Sequence, residues 1–318
     1  MSAKTAAAAI LNPGLSLTGH QAAVNTVQFS PRGEQILSAA NDRTAILWDA
    51  QSGQLVRRFG PLPAEIASAV FTPDGTAIAT ACADGVARMF TLADGAQVGN
   101  FAGHAARLAD CALSPDGKLL ATASYDKTIR LWNVADARLV AELKDHTATV
   151  WSVAFSRDGV TLLSGSGDRS AILWDVPGAK KLRKFGGHMS WVYRARYSPD
   201  ASRIVTACND KVARVFDAAT AKLIYAAPEA PGYLADAVFS HDGKRLLTAC
   251  RDGQIRRHDI VMVKPGAPEI GNAGAQQPAA PGVVAHPGGV NGVVLNPEGT
   301  RAASAGEDRL VRLWSLPE

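Results

Sequence analysis

The feature that most limits how this chain can fold is a repeat. The stretch Thr122-Ala-Ser-Tyr-Asp-Lys-Thr-Ile-Arg-Leu-Trp132 returns in steps of 42 residues. Ser or Thr stands at Ser38, Thr80, Thr122, Ser164, Thr206 and Thr248, and Asp four positions later at Asp42, Asp84, Asp126, Asp168, Asp210 and Asp252. An aromatic residue or His follows at Trp48, Phe90, Trp132, Trp174, Phe216 and His258. A seventh copy, Ser304, Asp308 and Trp314, arrives 56 residues after the sixth, so an insertion separates them. A period of about 40 residues with this content is the signature of a four-stranded blade in a ring.

One copy explains why. Leu119-Leu-Ala-Thr122 and Thr128-Ile-Arg-Leu-Trp132 alternate apolar and polar residues, as strands with one buried face do. Tyr125-Asp-Lys is the tight turn between them, and Ser114-Pro-Asp-Gly117 is a second turn that recurs in every copy with small changes. No copy can bury its own faces alone, so the copies must stack. The expectation is an all-β chain.

Gly103-His104, Ser114-Pro-Asp-Gly117, Asp126 and Leu131-Trp132-Asn133 together resemble a WD repeat, and the resemblance runs along almost the whole chain. It implies a seven-bladed β-propeller of four-stranded antiparallel blades. Leu15-Ser-Leu-Thr-Gly19-His20 matches the end of an outer strand whose own blade is missing upstream, while the last copy stops after its third strand. An N-terminal strand should therefore complete the last blade and close the ring. Residues 1–13 are expected to be a tail, residues 14–318 one propeller, and residues 263–282, rich in Pro, Gly and Ala, a flexible insertion.

The resemblance also implies buried hydrogen-bonded tetrads of His, Ser or Thr, Asp and Trp. Four blades carry complete sets: His20, Ser38, Asp42, Trp48; His104, Thr122, Asp126, Trp132; His146, Ser164, Asp168, Trp174; and His286, Ser304, Asp308, Trp314. The fifth blade has His188, Thr206 and Asp210 but Phe216. The second has Leu62 and Phe90, and the sixth Ala230 and His258, so these two should be the least rigid.

A hydrolase reading of Ser, His and Asp fails on repetition, because a catalytic nucleophile is expected once and exposed. Five of the seven His stand one to a blade, which spreads them too widely for a metal site. No phosphate-binding Gly loop with its Lys occurs, so neither catalytic residues, metal nor cofactor is expected. A formal net charge of +4 over 318 residues gives no general reason to expect nucleic acid. The basic run Lys180-Lys-Leu-Arg-Lys184 falls on an outer strand, where Lys commonly guards an edge. No apolar run is long enough to span a membrane, and the N-terminus lacks a convincing signal sequence. Cys82, Cys208 and Cys250 share a column with Ala40, Ser124, Ser166 and Gly306, which indicates packing and a cytoplasmic, monomeric ring.

What remains is recognition. Trp151, Trp191, Tyr193, Tyr125 and Tyr233 occupy columns filled elsewhere by Asn25, Ala67, Ala109, Asn291, Ala23 or Asn41, so the repeat itself needs no ring there. In WD-repeat proteins those columns lie on the top face near the channel, and Arg107 and Arg251 fall in equivalent columns. The resemblance thus implies a non-enzymatic scaffold or adaptor that binds a protein or peptide partner there. The alternatives are an enzyme-type propeller with a small ligand or metal in its channel, or a regulatory module of a larger signalling system.

Overall fold

The computed structural model describes residues 11–260 and 282–316. Every regular element among them is a strand, and the 28 strands form seven four-stranded sheets. In the third blade the order is β10 (Leu108–Leu113), β11 (Leu119–Ser124), β12 (Ile129–Asn133) and β13 (Leu139–Leu143), each antiparallel to the next. Strand β11 is buried over nearly its whole length because neighbouring blades cover both faces, whereas β13 is half exposed at the rim. Its turn repeats with little change: the Ser114 hydroxyl accepts from Leu119 N–H at 2.9 Å and donates to Asp116 at 2.6 Å. Gly117 takes φ +72 there, and Ala201 adopts the same left-handed conformation in blade five.

The core lies between blades. Trp48, Phe29 and Ile36 of the first blade pack against Ala303, Ala305 and Leu313 of the seventh. The Ser and Cys column does more than fill space. Ser124 and Ser166 donate hydrogen bonds to carbonyls in the preceding loop, and the Cys208 and Cys250 thiols do the same at 3.3 and 3.2 Å.

The ring closes through the N-terminal strand. Strand β1 (Asn12–Leu17) pairs antiparallel with β28 (Val311–Ser315), completing the sheet of β26 (Val290–Leu295) and β27 (Arg301–Gly306). It begins inside the segment expected to be tail, and Leu11 before it is buried. Backbone pairing needs no side-chain period, which is why the sequence pattern did not mark its start. Residues 263–281 of the expected insertion lie outside the described residues. They fall between β24 (Gln254–Asp259) and β25 (Gly282–Val284), the third and fourth strands of blade six.

A bulge recurs at one place in every blade. In β10 the register skips between Leu108 and Asp110, leaving Ala109 unpaired. The equivalent skip falls at Asn25, Ala67, Trp151, Tyr193, Ala235 and Asn291. A bulge bends the strand and re-aims the extra residue. Here it turns one side chain per blade toward the channel mouth.

Candidate recognition face and the tetrads beneath it

In the four complete blades the tetrad residues meet. Trp48, Trp132, Trp174 and Trp314 each donate Nε1–H to the Ser or Thr hydroxyl at 2.8–2.9 Å. The same hydroxyl stands 2.7–2.8 Å from His Nε2, and His Nδ1 lies 2.7–2.9 Å from Asp. Burial lowers the pKa of His20, His104 and His286 in spite of the neighbouring carboxylates, so these imidazoles are neutral. For His20 and His104 the chain then runs one way: indole to hydroxyl, hydroxyl to Nε2, Nδ1–H to carboxylate. In blade seven the Arg312 guanidinium stands 2.6 Å from both His286 Nδ1 and Asp308. Burial alone would raise Asp126, but hydrogen bonds from Thr128 and His104 hold it down at about 2. The hydroxyls of Ser38, Thr122, Ser164 and Ser304 belong to residues with no exposed surface, so none can reach a substrate.

In the three blades where the set is broken an arginine pairs with the aspartate, as Arg312 also does with Asp308 at 2.6 Å in the complete blade seven. Arg88 pairs with Asp84 at 2.7 Å in blade two, Arg214 with Asp210 at 2.8 Å in blade five, and Arg256 with Asp252 in blade six. His188 keeps Thr206 at 2.8 Å, and His258 replaces the missing indole against Thr248 at 3.0 Å. The arginines occupy one column, four residues after each Asp, that the sequence analysis did not single out.

Above this layer the mouth of the channel is a cavity of about 330 Å³. Tyr125, Trp151, Tyr193 and Tyr233 line one side, from blades three to six, and form an unbroken chain. Ring centroids are 5.0 Å apart for Tyr125 and Trp151, 5.4 Å for Trp151 and Tyr193, and 5.5 Å for Tyr193 and Tyr233. Trp191 is not part of the lining but stands on the rim, 48% exposed, with its ring 6.0 Å from Trp151 and 6.2 Å from Tyr193. Arg107 caps one end of the row, 5.1 Å over Tyr125, and Arg251 the other, 5.5 Å over Tyr233. Arg251 also pairs with Glu307. The facing side carries Asn25, Asn41, Asn291 and Glu65. The basic run 180–184 lies away from it, on the outer strand β17 (Lys180–Phe185).

One set of channel residues escaped the sequence analysis. Arg194, just past a bulge, lines both the mouth and the cavity below it and pairs with Asp110 at 2.5 Å, from blade five to blade three. Below it Arg196 holds Asp236 through two bonds of 2.9 and 2.7 Å. The two carboxylates also accept backbone N–H groups of the following blades, from Val153 and Val293. The signal was a column of Thr26, Ser68 and Ser152 interrupted by Asp110, Arg194 and Asp236. These carboxylates are committed to stitching the ring. Among the described residues no group of three or more His, Cys, Asp or Glu is placed to hold a metal, and no helix is long and apolar enough to cross a membrane.

Comparison with known proteins agrees with this geometry. The family described as WD domain, G-beta repeat matches residues 11–49, 53–91, 95–133, 137–175, 179–217, 231–259 and 282–315. Ribosome assembly protein 4 of Saccharomyces cerevisiae is 45% identical over 47 residues, 15% of this chain and 9% of that protein. The Notchless protein homolog of Arabidopsis thaliana is 49% identical over 47 residues, 15% of this chain and 10% of that protein. Each match thus spans a tenth or less of the relative's length, about one repeat.

Proposed function

The chain belongs to the WD-repeat family, with seven repeats matched between residues 11 and 315, and from that premise we propose that it is a non-enzymatic scaffold whose top face binds a protein or peptide. The observation that carries this reading is the contiguous row of Tyr125, Trp151, Tyr193 and Tyr233, with Trp191 on its rim and an arginine at each end. Other blades fill the bulge that holds Trp151 and Tyr193 with Asn or Ala, so the fold gains nothing from a ring there. Aromatic residues and Arg dominate binding hot spots because they offer large rigid contact areas with polar edges. The same reading takes the protein as a monomeric ring in the cytoplasm, where its four buried, unpaired cysteines would stay reduced.

The test is capture of binding partners by the intact ring, with bound proteins identified by mass. Trp191→Ala and Tyr193→Ala should each melt near wild type and lose capture about tenfold or more. Lys180→Glu on the outer rim should capture normally. Normal capture by both mouth variants, with loss in the rim variant, would place recognition elsewhere.

A further inference from the structure

We propose that the mouth receives an acidic segment of a peptide partner, an aspartate or glutamate carboxylate reaching Arg107 and Arg194 while a neighbouring apolar side chain lies on Trp151 and Trp191. This rests on the reading of the mouth as the recognition face and adds the chemistry of what enters it.

Open donors outnumber open acceptors at the mouth. Arg107 is exposed, and none of its N–H groups has a hydrogen-bond partner among the described residues. Arg194 commits one nitrogen to Asp110 and keeps its other donors at the floor of the cavity. The phenols of Tyr125, Tyr193 and Tyr233 are likewise without partners among the described residues. Burial, then the nearby Tyr233, pushes Tyr193 up to about 12, which keeps it a donor at any physiological pH. Two guanidinium groups and three phenols therefore stand open. Against them are the Glu65 carboxylate and the amide oxygens of Asn25 and Asn291, the last buried without a partner. Glu307 and Asp110 do not count, since Arg251 and Arg194 already hold them. An entering group that supplies acceptors fits this excess, and a charged acceptor makes the stronger bonds to guanidinium.

A cationic group fits poorly. The aromatic row would attract one, but Arg107 and Arg251 already lie over its two terminal rings, and Arg194 forms the floor beneath. Glu65, on blade two, supplies direction by repelling the carboxylate toward the aromatic half. The Arg194–Asp110 pair stands between the mouth and the cavity below it, a setting for a side chain or short turn to enter from the top.

The test uses three synthetic peptides, acetylated and amidated, that differ only in two positions flanking a central phenylalanine: glutamates, glutamines or lysines. Binding is read from tryptophan emission, since Trp151 and Trp191 are at the mouth and the other four are buried in tetrads. The glutamate peptide should bind at least about tenfold tighter than the glutamine peptide, and the lysine peptide weakest. Arg107→Ala, at an exposed position that should not disturb folding, should cut the glutamate preference by about fivefold, and raising salt to about 0.5 M should do likewise. Arg194→Gln should do the same if it folds, and Arg107→Ala decides the matter if it does not. Equal binding of all three peptides, a preference for lysine, or a glutamate preference untouched by Arg107→Ala would overturn the acidic assignment. If such binding still vanishes in Trp191→Ala, the mouth stands as the recognition face. If no peptide binds and Trp191→Ala also captures partners normally, both readings fall.

Discussion

The tetrads show how a single atom can matter inside a repeated fold. In Trp132 the indole N–H supplies Thr122 at 2.8 Å, and Thr122 has no exposed surface. Trp132→Phe keeps most of the apolar area but leaves that buried hydroxyl short of a donor, at a cost of about 1–3 kcal/mol. Matched denaturant titrations check this, and Phe90→Trp should give no comparable gain because Leu62 leaves blade two without its His. The incomplete blades carry a second consequence. Burial, reinforced by the nearby Arg214 and Arg256, holds His188 and His258 down at about 4, against 6.5 for a free imidazole. The native state refuses protons that the unfolded chain accepts between those values. The stability they contribute is therefore present above pH 6.5 and lost as pH falls toward 4, by on the order of a few kcal/mol. Carboxylates such as Asp126 add their own loss only below about pH 4, their unfolded value. His258→Phe, the residue type that blades two and five carry in this column, should show a visibly smaller drop in stability between pH 7 and pH 5. An unchanged drop would mean that the imidazole titrates in the fold as it does in the unfolded chain.

At the scale of elements, two devices matter: the bulge and the closing strand. The bulge lets one strand serve two ends, packing into the core and presenting a side chain at the mouth, without disturbing the ladder beyond it. The closing strand β1 holds its place by backbone pairing with β28 and by the buried Leu17 and Leu11. Deleting residues 1–10 should leave the melting temperature nearly unchanged, whereas deleting residues 1–19 should lower it by several degrees and promote association through the uncovered edge of β28. Equal melting points for both truncations and the full chain would show that β1 adds nothing to closure.

For the whole molecule the question is what makes seven sheets one body. Apolar packing between blades supplies most of it, and the channel adds a polar stitch. Arg194 reaches Asp110 across 84 residues of chain and past an intervening blade. Arg194→Ala would strand a buried carboxylate and cost roughly 3–5 kcal/mol. The double change Asp110→Ser with Arg194→Ser, which restores the hydroxyl type of Ser68 and Ser152, should cost clearly less than Arg194→Ala alone. Chemical denaturation of the three proteins measures this, and a double variant as unstable as Arg194→Ala would show that the pair does more than neutralise itself.

The sequence by itself determined the ring, its seven blades, its antiparallel strands and its closure, because each is one local pattern repeated and each copy needs a neighbour. The tetrad members were legible for the same reason: their spacing within a copy is constant. That Trp151 and Tyr193 sit at bulges, and that five aromatic side chains from four blades touch, was decided by tertiary structure, since register is a property of pairs of strands. So were the Arg–Asp pairs of blades two, five, six and seven, and the Arg194–Asp110 pair across the channel. A charge set in a column of hydroxyls announces that it needs a partner. Which partner it finds depends on the diameter of the closed ring, and no stretch of the chain contains that distance.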